Sequence, residues 1–268
     1  MSEATAVFTR EGETWLPSVL SRGPWDERAQ HGGAAGGLLA HLAESAVDEP
    51  GWQLSRLTIE LIKPVPVAPL TTRTEVHPAR STTRVTIELL AGDVLVARAH
   101  ALLIRGQAFD LPDVPGWEPA QLLPGPDDCT QRLLIPGMPR GISFYETAME
   151  ILVAQGDTTQ PGPAAAWFRP SVPLIEGEAT SAAMRAVAAA DFGNGLSWVL
   201  PPDKYLFSNA DLNVHLHRAP VGEWIGLSSA TQPDGSGVGT TLTRLYDAHG
   251  PIGVAIQTLV MRERRDPS

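Results

Sequence analysis

Cysteine is nearly absent. Cys129 stands alone, so no disulfide can form within the chain, which suits a reducing compartment. It sits in a Pro- and Asp-rich segment with no basic side chain nearer than Arg132. Nothing there would lower its pKa toward a reactive thiolate. Basic runs are missing too. Against 30 Asp and Glu stand only 20 Lys and Arg, a formal net charge of -10. That balance argues against nucleic-acid binding. A phosphate-bearing ligand would need local Arg or Lys contacts against the overall field. No apolar run approaches membrane-spanning length. Met1-Ser2-Glu3-Ala4-Thr5 lacks the basic and apolar regions of a signal peptide. The expectation is a cytoplasmic protein with no membrane contact.

What is present suits a core of ordinary composition, with 43% hydrophobic and 19% charged residues. A chain of 268 residues makes one large domain or two small ones. Short apolar beats at Val7, Phe8, Trp15 and Leu16 predict an edge strand and a turn. Leu38, Leu39, Leu42 and Ala46 recur at helical spacing, so a helix opens near Gly32 or Gly33 and ends before Pro50. Its first turns are nearly bare of side chains. Each glycine costs a helix about 0.8–1 kcal/mol against Ala. Gly32, Gly33, Gly36 and Gly37 therefore imply close approach of the backbone to something.

Strands are predicted at Leu54–Lys63, Leu70–His77, Arg84–Leu90 and Val94–Ile104, with a hairpin turn at Ala91-Gly92-Asp93. Residues 107–140 are rich in Pro and Gly and carry no sustained period. They read as a linker between an N-terminal unit, residues 1–106, and a C-terminal unit, residues 141–268. The second unit repeats the order of the first. Ala164–Arg169 reads as a strand and Glu178–Ala190 as a helix stopped by Asp191-Phe192-Gly193-Asn194-Gly195. Strands follow at Phe207–His217, Trp224–Thr231, Gly239–Tyr246 and Ile252–Arg262. Arg56–Pro64 lies over Asp211–Arg218 with its apolar beats in step, which suggests an internal duplication. One helix followed by a meander of strands, twice over, predicts an α+β double hotdog: two antiparallel sheets, each wrapped around one central helix.

The stretch Ala210–Arg218 alternates strictly. Leu212, Val214 and Leu216 share one face; Asp211, Asn213, His215 and His217 share the other. His215 and His217 could point alike toward a metal, but no further ligand cluster accompanies them, and no metal is expected. Gly235-Ser236-Gly237-Val238-Gly239 joins two strands, whereas phosphate loops and nucleophile elbows need a strand-to-helix turn.

Three stretches together resemble the double-hotdog acyl-CoA thioesterases of the thioesterase II type. They are Gln30-His31-Gly32-Gly33; Ala210–Arg218 followed by Glu223-Trp224; and Leu245–Gly250 followed by Ala255–Leu259. The resemblance implies hydrolysis of a fatty acyl-CoA by a positioned water, with no cofactor and no metal. It implies a catalytic Asp, hydroxyl and Gln, here matched to Asp211, Thr231 and Gln257, with Gln232 the neighbouring choice. His31, Gly32, Gly33 and Gln232 would then contact substrate. The free N–H groups of Gly32 and Gly33 would face the oxyanion, and a tunnel would run along the first helix past Leu38 and Leu39. Hotdog units usually associate further, so a homo-oligomer is compatible with this reading. Two other readings stand beside hydrolysis. One is a non-catalytic acyl-CoA or acyl-carrier thioester binder. The other is a hotdog hydratase or dehydratase, which would show a paired Asp and His beside the helix start.

Overall fold

The computed structural model describes residues 4–47, 49–112 and 122–264. A small hairpin, β1 (Phe8–Glu11) with β2 (Thr14–Pro17), leads into α1 (Gly32–Ser45). The first meander then runs β3 (Trp52–Leu61), β4 (Thr71–Pro78), β5 (Thr82–Ala91) and β6 (Val94–Arg105). The second unit opens with one wide helical turn at Phe144–Ala148, then β7 (Met149–Gln155) and β8 (Ala164–Pro170). Helix α2 (Ala182–Ala190) and a single turn, α3 (Gly193–Leu196), follow. The chain ends through β9 (Tyr205–Asn209), β10 (Asp211–Leu216), β11 (Ile225–Pro233), β12 (Val238–Asp247) and β13 (Gly250–Glu263). This is the expected double hotdog.

The two meanders fuse into one eleven-stranded antiparallel sheet ordered β4-β5-β6-β3-β10-β13-β12-β11-β8-β7, with β9 added along β13. The seam is β3 against β10, the two stretches that look duplicated in the sequence. Leu57 and Ile59 on β3 and Leu212 and Val214 on β10 all turn inward. The sheet curls about α1 and α2, and its inward residues meet theirs in one continuous core that includes Leu38, Leu39, Val187, Ile87 and Leu227.

Gly33 and Gly36 of α1 are explained by where α2 lies, and Gly37 by Leu174, whose Cδ1 a Cβ there would meet at 2.7 Å. A Cβ on Gly33 would collide with the Ala188 carbonyl oxygen, and one on Gly36 would stand 3.1 Å from Val187 Cγ1. The bare face lets the two helices cross nearly backbone to backbone. Their ends are tied at both sides of the crossing. His31 caps α1, its Nδ1 accepting from Gly33 N–H at 3.0 Å. Ser181 caps α2, accepting from Met184 N–H at 3.0 Å and donating to Glu44 of α1 at 2.5 Å. That cap sets the start of α2 at Ala182, four residues inside the predicted Glu178.

Candidate active site

Asp191 is where the two units meet chemically. It is the C-terminal cap of α2, and the crossing delivers its carboxylate to the N-terminal tip of α1. Oδ2 lies 3.0 Å from His31 Nδ1, and Oδ1 accepts from Asn209 Nδ2 at 2.7 Å. A Cβ on Gly32 would stand 2.7 Å from Oδ2, so only glycine admits the carboxylate there. The side chain is 4% exposed. Burial alone would push this carboxyl up. The His31 hydrogen bond and charge, the Asn209 amide and the Gly33 N–H outweigh burial and hold it below the ordinary aspartate value.

His31 Nδ1 has two neighbours and one proton site. It accepts from Gly33 N–H at 3.0 Å and lies equally close to Asp191 Oδ2, to which it donates only when that nitrogen carries a proton. Its ring stacks on Phe192 with centroids 4.4 Å apart, which fixes its plane. Gly32 N–H has no hydrogen-bond partner among the described residues. It is one of the orphan donors that every helix start leaves.

All three groups open on a cavity of about 530 Å³. His31 and Gly32 come from the first unit, Asp191, Asn194 and Asn209 from the second, and Ile135, Met138 and Tyr145 from the segment between and just after. The cavity sits at the tip of α1. Leu38 and Leu39, expected along a tunnel, are fully buried in the core instead, because α2 fills the space beside the bare face of α1.

The residues expected from sequence separate into two groups. Gln257 and Thr231 both point inward. Gln257 Nε2 donates to the Asp191 backbone carbonyl at 3.0 Å, and its Oε1 accepts from Asn194 N–H at 3.0 Å. Thr231 Oγ1 lies 2.8 Å from Ser197 Oγ and 2.7 Å from Thr241 Oγ1. Ser197 in turn donates to the Gly193 carbonyl at 2.9 Å. Both side chains therefore grip the α2–α3 corner from behind and do not line the cavity. His31 and Gly32 line it, and Gly33 bonds to His31.

Asp211 and Gln232 do not join them. Ala210 still bonds to Thr258 and Leu61, but the register against β13 shifts by one residue there, so the predicted single strand Phe207–His217 becomes β9 and β10. Asn209 faces in, while Asp211 faces out beside Glu60, its register partner on β3. The Asp211 carboxylate accepts from Thr258 N–H at 2.7 Å and from Asn213 Nδ2 at 3.1 Å. Gln232 is exposed and pairs with Thr240 on the outer side of the sheet. The residue that sequence reasoning missed is Asp191. It was legible only as the first letter of the helix stop Asp191-Phe192-Gly193. A carboxylate at a helix C-terminus, where the dipole disfavours it, was the available signal.

The fold and this site define a double-hotdog protein, and solved structures agree over almost the whole chain. A conserved protein of unknown function with a hot dog fold from Alicyclobacillus acidocaldarius has 15% identity and a TM-score of 0.72, with 96% of each chain covered. A thioesterase candidate from Novosphingobium aromaticivorans has 20% identity and a TM-score of 0.72, covering 96% of this chain and 99% of that one. The acyl-CoA thioesterase II TesB2 of Mycobacterium marinum has 14% identity and a TM-score of 0.63, covering 95% and 94%. No curated protein matches the sequence. Family models match residues 21–104 as an acyl-CoA thioesterase N-terminal domain and residues 126–261 as an acyl-CoA thioesterase C-terminal domain. The chain belongs to this acyl-CoA thioesterase family.

Proposed function

We propose that the protein hydrolyses a fatty acyl-CoA thioester, and that the Asp191–His31 pair is its proton acceptor. The observation that carries this is a buried carboxylate, held ionised, against an imidazole and beside an orphan N–H, in a cavity built by both units. A water at the tip of α1 would lose its proton to the pair and add to the thioester carbonyl. The carbonyl oxygen, gaining charge, would take the Gly32 N–H, a donor already aimed and needing no reorganisation. The tetrahedral adduct would then expel the thiolate, which recovers the proton, leaving free acid and thiol. Thr231 and Gln257 act as positioning residues, because they hold the corner that carries Asp191. The test is thiol release from acyl-CoA. Asp191→Asn abolishes it and Asp211→Asn keeps it. The reverse pattern would return the chemistry to the outer face.

One observation favours a second reading. A His and an Asp in contact beside the helix start could also add water across the double bond of a 2-enoyl thioester. His31 and Asp191 are such a pair. Loss of the enoyl absorbance without thiol release would select hydration over hydrolysis.

A further inference from the structure

The helices lie on one face of the sheet, the side of Leu57, Ile59, Leu212 and Val214. The alternate residues of the same strands point outward. Register across four adjacent strands, β3, β10, β13 and β12, sorts these outward residues into rows. Thr58, Asn213, Ile256 and Leu242 stand side by side in a middle row. Two residues along to one side lie Glu60 and its partner Asp211, with Thr258 and its partner Thr240. Two residues along to the other side lie Arg56, His215, Val254 and Arg244.

Acid and base thus stand on opposite sides of an uncharged line. Arg98 reaches Glu60 at 3.6 Å but is shared with Glu88 at 3.0 Å, so the acidic row keeps an excess of carboxylate. At the β12–β13 end the face is apolar: Leu242, Ile256 and Val254 are 51%, 41% and 38% exposed. Carried the other way, on to β6 and β5, the middle row continues as His100 and Thr86 and the acidic row as Arg98 and Glu88. The two units share a meander but not this surface.

We propose that two copies of the chain pack face to face here, about a two-fold axis that lies in the interface along the middle row. Such an axis sets each strand over its own copy, running the other way. Leu242 and Ile256 of the two chains then meet at the centre. Glu60 comes over Arg56 of the second copy and Asp211 over His215 of the second copy, across the spacing of about 10 Å at which sheets pack. An axis along the strands would instead set acid row on acid row, which like charge opposes. The pattern inverts on itself, so a second copy matches it by symmetry alone, whereas a partner of unrelated sequence would have to match it residue by residue. The contact spans the β3–β10 seam and so would brace the two units against each other. It stands whatever reaction the inner cavity performs.

Sedimentation velocity on the full chain tests this. The wild type should sediment at twice the chain mass at micromolar concentration. Leu242→Glu sets a charge against its own copy on the axis. It should raise the dimer dissociation constant by about 10²-fold or more and leave the far-UV circular dichroism unchanged. Thr240→Lys faces Arg244 of the second copy and should weaken the dimer by about tenfold. Adding Arg244→Glu should restore it, because each new Lys then meets a new Glu across the axis. Within one chain the two positions are about 13 Å apart along β12, so the restoration cannot arise inside a chain. A chain that stays monomeric at every concentration, a dimer indifferent to Leu242→Glu, or a double variant no tighter than Thr240→Lys alone would overturn the proposal.

Discussion

At the scale of single residues, strand parity decides the chemistry. Asp211 shares a face with Asn213 and His215, and the helices lie on the face of Leu212 and Val214. The alternation that makes β10 easy to read therefore turns Asp211 away from the helix tip. Asp191 hid because a helix stop and a carboxylate that faces a cavity look alike in one sequence; only the crossing of two distant helices tells them apart. Its lowered pKa sets a pH expectation. A carboxylate whose folded pKa is depressed is ionised throughout the neutral range. Activity that needs the charged form should therefore hold steady on the acid side until pH falls below the ordinary aspartate value. A pH–rate profile with its acid limb above pH 5 would point to another group. His31→Gln removes the Nδ1 contact and the charge that offsets burial, so it should move that acid limb upward while lowering kcat by about 10²-fold or more.

At the scale of elements, the α1–α2 crossing holds the site. The glycine pattern showed in the sequence that something approaches α1 closely; the identity of that neighbour did not show, because α2 lies some 150 residues on. Gly33→Ala would drive a methyl into the Ala188 carbonyl, a backbone group with little room to yield. Overpacking of this kind costs about 1–3 kcal/mol. Denaturant melts should show the loss, and activity should fall further than stability, since the same shift parts Gly32 from Asp191. The other end of the crossing behaves oppositely. Burial pushes the Glu44 carboxyl up, with the Ser181 hydroxyl and the Arg185 charge opposing. A raised carboxyl contributes stability below its unfolded pKa and loses it as pH rises through the folded value. Glu44→Gln keeps an acceptor for Ser181 and removes the charge. It should raise the melting temperature at pH 7 by a few degrees and change little at pH 4.

At the scale of the molecule, the sheet is shared. Each unit has its own helix and meander, and that repetition was plain in the order of predicted elements. The seam was not plain, because pairing of β3 with β10 depends on edges that periodicity cannot rank. Separated, each unit would bare a strand edge at the seam and a helix face lined by small residues. An unpaired apolar edge favours aggregation. The site would also be halved: His31 and Gly32 would lie on one chain, Asp191 and Asn209 on the other. Residues 1–106 and 141–268 produced alone should therefore be insoluble or poorly folded, and neither should release thiol. Produced together they should recover activity to the extent that β3–β10 pairing reforms, read by gel filtration alongside the thiol assay. Activity in the second half alone would mean that Asp191 needs no partner from α1. The glycine tip would then be a packing device, and the water would be held entirely by groups on α2, α3 and β9.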